Sequence, residues 1–346
     1  RYDGFRFKTH AKRPLFKGWR LRNIKLFRVM DTSIKIYIAG HRGMVGSAVW
    51  RALEAKGYHN LIGKTSQELD LRNQEAVNQF VIEQRPDVII DAAAKVGGIL
   101  ANNDYPYPFL MENLQIQNNL IDAAHKHDVL KFIFLGSSCI YPKLAPQPLK
   151  EDYLLTNSLE PTNEWYAIAK IAGVKACEAI RKQFKKDFVS LMPTNLYGPF
   201  DNFDLKSSHV LPAMLRKFHE ASQNNDASVT LWGSGKPMRE FLHVDDLAQA
   251  VLFALENVLP EYLYNVGTGT DVSIKNLANI IQEITGHKGD IIWDASKPDG
   301  TPRKWMDSSK MHALGWQPTY SLSQGIMQTY AWFNRQLDEQ KTIKYF

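Results

Sequence analysis

The 346-residue chain is 44% hydrophobic and 23% charged, the composition of an ordinary globular protein long enough for one large or two modest domains. Its two cysteines, Cys139 and Cys177, cannot build a disulfide framework, and no apolar run approaches the roughly 20 residues that cross a bilayer, so a reducing cytosol is the expected compartment. The net charge of +6 does not point to nucleic acid: residues 1–30 hold ten Lys/Arg and one acid, Asp3, a local +9 that leaves −3 on the rest of the chain.

This basic extension has few acids but also little Ser. It reads as sequence upstream of a start at Met30 rather than as an organelle-targeting segment, and as disordered or non-native. From residue 34, strand-like and helix-like blocks alternate. Ile34–Ala39 reads as a strand, followed by a Gly-rich turn and a helix over 46–56. Residues 61–63 read as a second short strand, 73–84 as a helix ended by Pro86, and 88–90 as a strand. A long helix is expected over 108–127, a strand over 132–135, a long helix over 164–184 and a strand over 188–192. Strand and helix in such succession predict right-handed crossovers and a Rossmann-type, doubly wound parallel sheet in the α/β class.

After Pro193 the rhythm loosens. Helices are expected over 210–221, 244–255 and 274–285 among short extended pieces, with a turn-rich loop at 294–303. The expected organisation is a nucleotide-binding domain over 31–195, to which segments around 240–268 return. A smaller, interleaved substrate-binding region over 196–346 completes it.

The first strand runs into "IYIAGHRGMVG", with Gly40, Gly43 and Gly46 between strand and helix. Gly40 permits a tight turn, Gly43 lets the backbone approach a pyrophosphate, and Gly46 lets helix and strand pack closely. The helix N-terminus offers free N–H groups to phosphate. His41, Arg42, Met44 and Val45 complete this cradle. Where NAD-binding folds place an acid after the second strand, this chain has Lys64 and Ser66 and no carboxylate before Glu68. With Arg42 in the Gly loop, two cations suit a 2′-phosphate, so NADP is preferred. Asp70 and Leu71 are placed to meet the adenine end.

The strand at 132–135 ends at Gly136 and delivers Ser137, Ser138 and Cys139, three small polar side chains, to a loop. Further on, "WYAIAKIAG" sets Tyr166 and Lys170 four residues apart, on one face of a helix. An ammonium beside a phenol favours its ionised form, so Lys170 is expected to lower the Tyr166 pKa. The Ser137 hydroxyl is the candidate to hydrogen-bond a substrate carbonyl.

With these residues in place, the chain resembles the extended short-chain dehydrogenase/reductases. The likeness rests on "AGHRGMVGSA", "FLGSSCIYPKLA", "YAIAKIAG", "MPTNLYGP", "MREFLHVDD", "NVGTG" and "DASKPDGTPRK", and spans residues 34 to about 335. "GSSCIYPK" and "ASKPDGTPRK" narrow it to the 3,5-epimerase/4-reductases of GDP-4-keto-6-deoxy-D-mannose, which form GDP-L-fucose. The resemblance implies a base and acid pair, Cys139 and His209, for inversion at C3 and C5, with Tyr166 and Ser137 stabilising the oxyanion. NADPH then reduces C4, and Tyr166 donates the proton. It implies that Leu135, Gly136, Ser137 and Ser138 run beside the cofactor, that Pro193, Thr194, Asn195 and Leu196 line the nicotinamide pocket, and that Lys170 and His209 also reach the cofactor. Lys217, Trp232, Arg239 and Asp299 are the candidates for gripping the GDP-sugar, and a homodimer through 108–127 and 164–184 is expected. No His, Cys and acid cluster has metal-ligand spacing, and Cys177 reads as packing. Two alternatives stay open: another sugar-nucleotide reductase or epimerase, and a catalytically inactive NADP-binding protein with a basic tail.

Overall fold

The computed structural model describes residues 31–339 apart from residue 298, so the reading of residues 1–30 lies outside the described residues. In chain order the first half is β1 (Ile36–Ala39), α1 (Met44–Lys56), β2 (Leu61–Ile62), α2 (Gln74–Gln84), β3 (Val88–Asp91), α3 (Ile99–Asp104), α4 (Pro106–Lys126), β4 (Lys131–Leu135), α5 (Glu164–Phe184) and β5 (Asp187–Pro193). The second half is β6 (Asn195–Tyr197), α6 (Val210–Asn224), β7 (Ser228–Trp232), β8 (Met238–Arg239), β9 (Phe241–His243), α7 (Val244–Glu256), β10 (Leu263–Val266) and β11 (Val272–Ser273). There follow α8 (Ile274–Thr285), β12 (Asp290–Asp294), β13 (Arg303–Lys304), α9 (Ser309–Leu314) and α10 (Leu322–Asp338).

Six strands form one sheet in the order β10-β5-β4-β3-β1-β2, every pair parallel. The strands read as near-continuous apolar runs because both faces are covered. Ile36, Ile38, Val88, Ile90, Ile133 and Leu135 pack towards α1 and α7, while Tyr37, Ile89, Phe132 and Phe134 pack towards α2, α4 and α5. β2 and β3 lie on opposite sides of β1, so the chain reverses direction there. Loops at the carboxyl ends of β1, β3 and β4 border the crevice that such a reversal leaves.

Helix ends follow local chemistry. α2 is capped by Asn73, whose side chain accepts from the Ala76 N–H, and stops before Pro86. α1 starts at Met44, one turn fragment earlier than expected, because Gly43 supplies the N-cap, and it ends on Gly57 at φ +97. α10, which the pattern reading above does not include, carries a full capping box between Ser321 and Gln324.

The return of the later chain to the sheet has a visible fastening. The buried Lys131 ammonium at the start of β4 pairs with Asp187 at 3.1 Å and donates to the carbonyls of Ala254, Leu255 and Asn257 at the end of α7. β10 then joins the sheet beside β5. A third core, with Leu215, Phe218, Leu231, Leu277, Ile281, Ile326 and Phe333, holds α6, α8 and α10 against β7. β7 pairs with β12, and β8 lies between β11 and β13.

Candidate active site

Gly40 sits at φ +78, and a Cβ there would lie 2.7 Å from the Ala92 carbonyl oxygen. At Gly46 a Cβ would lie 2.1 Å from the Gly40 carbonyl oxygen, so the α1–β1 contact itself excludes a side chain. At Gly43 the added carbon would meet only that same oxygen at an ordinary 3.4 Å, and no side chain caps the N-terminus of α1. The protein therefore leaves Gly43 and the first N–H groups of α1 open to an incoming group, which fits a dinucleotide pyrophosphate. Two substitutions separate these roles. Gly46→Ala overpacks the turn and is expected to cost about 1–3 kcal/mol in a thermal or urea melt. Gly43→Ala is expected to melt close to wild type and to weaken NADPH binding in a fluorescence titration.

Of the remaining candidates at this end, Arg42 is exposed and most others are engaged with neighbouring residues. The His41 ring lies against Gly63 and 5.7 Å from Trp50. Met44 and Val45 are partly buried and pack against the core beside α1. Lys64 pairs with Glu68 at 3.5 Å, and the Glu68 carboxylate also accepts the Thr65 N–H and hydroxyl at 2.8 Å. Those hydrogen bonds, the Thr65 N–H foremost, hold Glu68 at a pKa of about 2. Lys64 is thus not the free cation the sequence suggests, and Ser66 is exposed beside it. Asp70 is clamped by Arg72 at 2.9 Å, with Arg72 also 3.5 Å from Glu112; Leu71 packs on the sheet core.

At the carboxyl end of β4, Ser137 caps a single turn over Ser138–Ile140, its Oγ accepting the Cys139 N–H at 3.4 Å. The same hydroxyl also faces the Cys139 thiol, whose ionised form it favours. α5 lies close on β4 because Gly173 faces the Phe134 ring, where a Cβ would come within 2.4 Å. The close packing brings the Lys170 ammonium 2.9 Å from the Leu135 carbonyl and 4.7 Å from the Phe134 ring centre. The same ammonium lies 5.9 Å from the Tyr166 ring centre.

One expectation needs correcting. Burial, reinforced by Cys139 and Asp91, raises the Tyr166 pKa, and Lys170 does not lower it. A buried phenol is costly to ionise, and the Lys170 charge is committed to the Leu135 carbonyl and to Asp91. Asp91, wholly buried at the end of β3, is raised to about 6 by burial, with Lys170 pulling it down. Tyr166 therefore stays protonated, as a proton donor must.

His209 is the N-cap of α6 and leaves its ring unused in capping. Its loop is held by the Asp204 carboxylate, which accepts the Lys206 and Ser207 N–H groups at 3.0 and 2.9 Å, and by the Gly98 N–H on the Ser207 carbonyl at 3.0 Å. His209 is exposed as a residue, yet burial of the imidazole and the Lys304 ammonium lower its pKa. Cys139 is buried and raised by burial, an effect opposed by Lys304, Ser137 and Lys170. Lys304 and Asp91 were missed in the sequence. Asp91 ends an apolar strand and Lys304 closes "DGTPRK", but nothing local marks either as part of this site.

Thr194 and Asn195 are fastened by side-chain bonds to the Glu240 carbonyl at 3.3 and 2.7 Å, which fixes the Pro193–Leu196 segment at the end of β5. In the outer lobe, Lys217 donates to the Thr230 carbonyl at 3.2 Å and Trp232 is exposed with Lys297 5.4 Å from its ring. Asp299 accepts the Ser234 N–H and hydroxyl at 2.6 and 2.7 Å, and burial lowers the Arg239 pKa against the opposing charge of Asp299. Arg239 pairs in register with Lys304, where β8 runs beside β13. Among the described residues no group of three His, Cys, Asp or Glu could hold a metal ion, and no helix is long and apolar enough to cross a membrane.

Comparison with known proteins places this geometry. Residues 36–267 match the model of the NAD dependent epimerase/dehydratase family. The chain belongs to that family. Across its members, "GDP-L-fucose synthase 1" of Arabidopsis thaliana is 57% identical over 303 residues, covering 88% of this chain and 94% of its own. The GDP-L-fucose synthase of Escherichia coli is 54% identical, covering 86% of this chain and 96% of its own. A solved family structure, a GDP-mannoheptose C4 reductase from Campylobacter jejuni with NADP bound, superposes with a TM-score of 0.81 at 40% identity, covering 88% of this chain and 99% of that one. The family match takes in the Gly40–Gly46 turn, and the similarity to the relative from Arabidopsis thaliana covers 88% of this chain.

Proposed function

We infer that this chain is an NADPH-dependent GDP-L-fucose synthase, converting GDP-4-keto-6-deoxy-D-mannose by C3/C5 epimerisation and then C4 reduction. The observation that carries the reading is that β4 delivers Ser137 and Cys139 to the same cleft as Tyr166, with the Lys304 field reaching both Cys139 and His209. The relatives at 54–57% identity support it.

A C4 ketone acidifies the neighbouring C–H bonds, so each inversion needs a base, an acid and donors for the enolate oxygen. Cys139 as thiolate takes the proton and His209 returns one from the opposite face. The Ser137 and Tyr166 hydroxyls hold the oxyanion. When bound, NADPH supplies the hydride to C4. Tyr166, kept protonated by its burial, then gives its proton to the new alkoxide, and Lys170 orients it from one helical turn away. His41, Arg42, Lys64 and Ser66 are placed to meet the adenosine 2′-phosphate, with Lys64 exchanging Glu68 for it. Lys217, Trp232, Arg239 and Asp299 are placed to hold the GDP moiety.

Two broader features belong to the same proposal. The NADPH lobe is residues 31–195 with the returning 240–268 segment, and the rest of the chain forms most of the GDP-sugar lobe. The working form is a cytoplasmic homodimer through α4 and α5, whose exposed Tyr107, Trp165 and Ile168 give these helices an apolar outer surface.

The likeness to a C4 reductase favours a second reading, reduction of a GDP-sugar without inversion. Cys139 and His209 oppose it, since reduction alone uses Ser137, Tyr166 and Lys170. The test is incubation with GDP-4-keto-6-deoxymannose and NADPH. NADPH absorbance should fall stoichiometrically with GDP-L-fucose formed, identified by NMR; no NADPH consumption rejects both readings.

A further inference from the structure

The loop that delivers His209 leaves β6 and is fastened at three places before α6 begins. Phe203 is fully buried in the third core, its ring centre 4.7 Å from that of Phe333, and its carbonyl accepts Arg216 Nη1 from α6 at 3.2 Å. Beyond it the chain turns on Asp204. That carboxylate accepts the Lys206 N–H, the Ser207 N–H and the Ser207 hydroxyl at 3.0, 2.9 and 2.9 Å. The Asp204 carbonyl accepts the Ser208 N–H at 2.8 Å, and the Asn202 amide donates to the Ser207 hydroxyl oxygen at 3.0 Å. The third fastening comes from the connection after β3, where the Gly98 N–H donates to the Ser207 carbonyl at 3.0 Å. Gly98 is itself fixed, since the buried Asn102 side chain donates to the carbonyls of Gly97 and Gly98 at 2.8 and 3.0 Å. A Cβ on Gly98 would lie 3.1 Å from the Ser208 carbonyl oxygen and 3.3 Å from that of Ser207, so the two segments meet backbone to backbone. His209 follows at once, its carbonyl accepting the Ala213 N–H at 3.1 Å in the first turn of α6.

We propose that Asp204 is a positioning residue for the epimerisation: it folds 204–208 into the turn that Gly98 clasps, and so fixes His209 where it can return a proton to the sugar. This rests on the epimerase-reductase reading. Cys139 arrives from β4 of the main sheet, whereas His209 opens a helix of the outer lobe. A base and an acid that act on opposite faces of one sugar are therefore set apart by the way the two lobes are joined. The Gly98–Ser207 hydrogen bond is such a joint, two residues from His209 and beside the crevice bordered by the carboxyl end of β3. Without the Asp204 acceptor its three donors turn to water, and the turn that presents the Ser207 carbonyl to Gly98 loses its preferred shape. A displacement of about 1 Å at His209 is enough to cost about 10²-fold in a proton transfer. Reduction draws on Ser137, Tyr166 and Lys170, all carried by β4 and α5, so loosening this turn burdens the inversions and spares the hydride step.

The test incubates wild type, Asp204→Ala, Asp204→Asn and Gly98→Ala with GDP-4-keto-6-deoxymannose and NADPH in D2O. It reads deuterium at C3 and C5 by mass spectrometry and the identity of the reduced sugar by NMR. In Asp204→Ala, exchange should fall by about 10²-fold, and the product should shift from GDP-L-fucose towards the GDP-6-deoxy sugar that keeps its C3 and C5 configuration. Asp204→Asn, whose side-chain oxygen can accept the same donors, should restore both. Gly98→Ala presses on the Ser207 and Ser208 carbonyls while leaving Asp204 intact, and it should shift the product in the same direction. A merely structural loss lowers exchange and reduction together, so an unmoved product ratio in Asp204→Ala and Gly98→Ala would overturn the proposal. Asp204→Asn as impaired as Asp204→Ala would overturn it too, because the charge and not the turn would then be responsible. Should Asp204→Ala fail a circular dichroism check, Gly98→Ala decides by the same product ratio. Failure of the underlying reading looks different: wild type itself would exchange nothing at C3 and C5, and the proposal would fall with that reading.

Discussion

Cys139→Ser is expected to suppress solvent exchange at C3 and C5 of GDP-4-keto-6-deoxymannose while the variant still oxidises NADPH. A thiol is ionised within reach of neutral pH and a serine hydroxyl is not, so the substitution removes the base and keeps almost the same shape. General-base loss of this kind costs about 10²- to 10⁴-fold in exchange rate. Reduction draws on the Ser137, Tyr166 and Lys170 side chains, all of which Cys139→Ser leaves in place. The product should then be a GDP-6-deoxy sugar that keeps its C3 and C5 configuration. Deuterium incorporation from D2O, read by mass spectrometry, decides the matter: incorporation at the wild-type rate removes Cys139 from the mechanism.

Tyr166→Phe has the complementary effect. The ring keeps its edge contact with Phe109 at 6.4 Å, so the fold around α5 persists and only the hydroxyl is lost. Single-turnover NADPH oxidation should fall about 10²- to 10⁴-fold, the usual contribution of a positioned proton donor. The pH dependence carries the sign of the buried phenol. A raised pKa keeps Tyr166 protonated through and above the ordinary phenol range, so reduction in the wild-type enzyme should show no alkaline loss from this residue below pH of about 10. A reduction limb that falls between pH 7 and 9, and vanishes in Tyr166→Phe, would show instead that the phenol ionises early and that Lys170 governs it.

Asp91 shows where reading from local pattern stops. Its residue type is plain in "VIID", yet its effect depends on β3 lying beside β4, so that its carboxylate and the Lys170 ammonium on α5 feel each other's charge. Glu68 teaches the same about the cofactor end. From the sequence, Lys64 stands without an early acid; in the fold a tight turn brings Glu68 back onto it at 3.5 Å. α10 eluded the pattern for another reason, since its short apolar face at Ile326 and Phe333 acquires meaning only against α6 and α8.

What the sequence determined by itself was everything set by near neighbours. The strand, Gly loop and helix at 36–56 follow from an apolar run and glycines that turns require. Tyr166 and Lys170 share a face because a helix repeats every 3.6 residues, and Ser137 to Cys139 emerge where β4 ends. Only the tertiary structure decided the strand order with its reversal at β1, the raised rather than lowered Tyr166 pKa, and the return of β10 to the sheet beside β5. Periodicity and caps are local and can be read along the chain. Burial and electric fields are sums over atoms from distant segments, and they exist only once the sheet has closed those segments together.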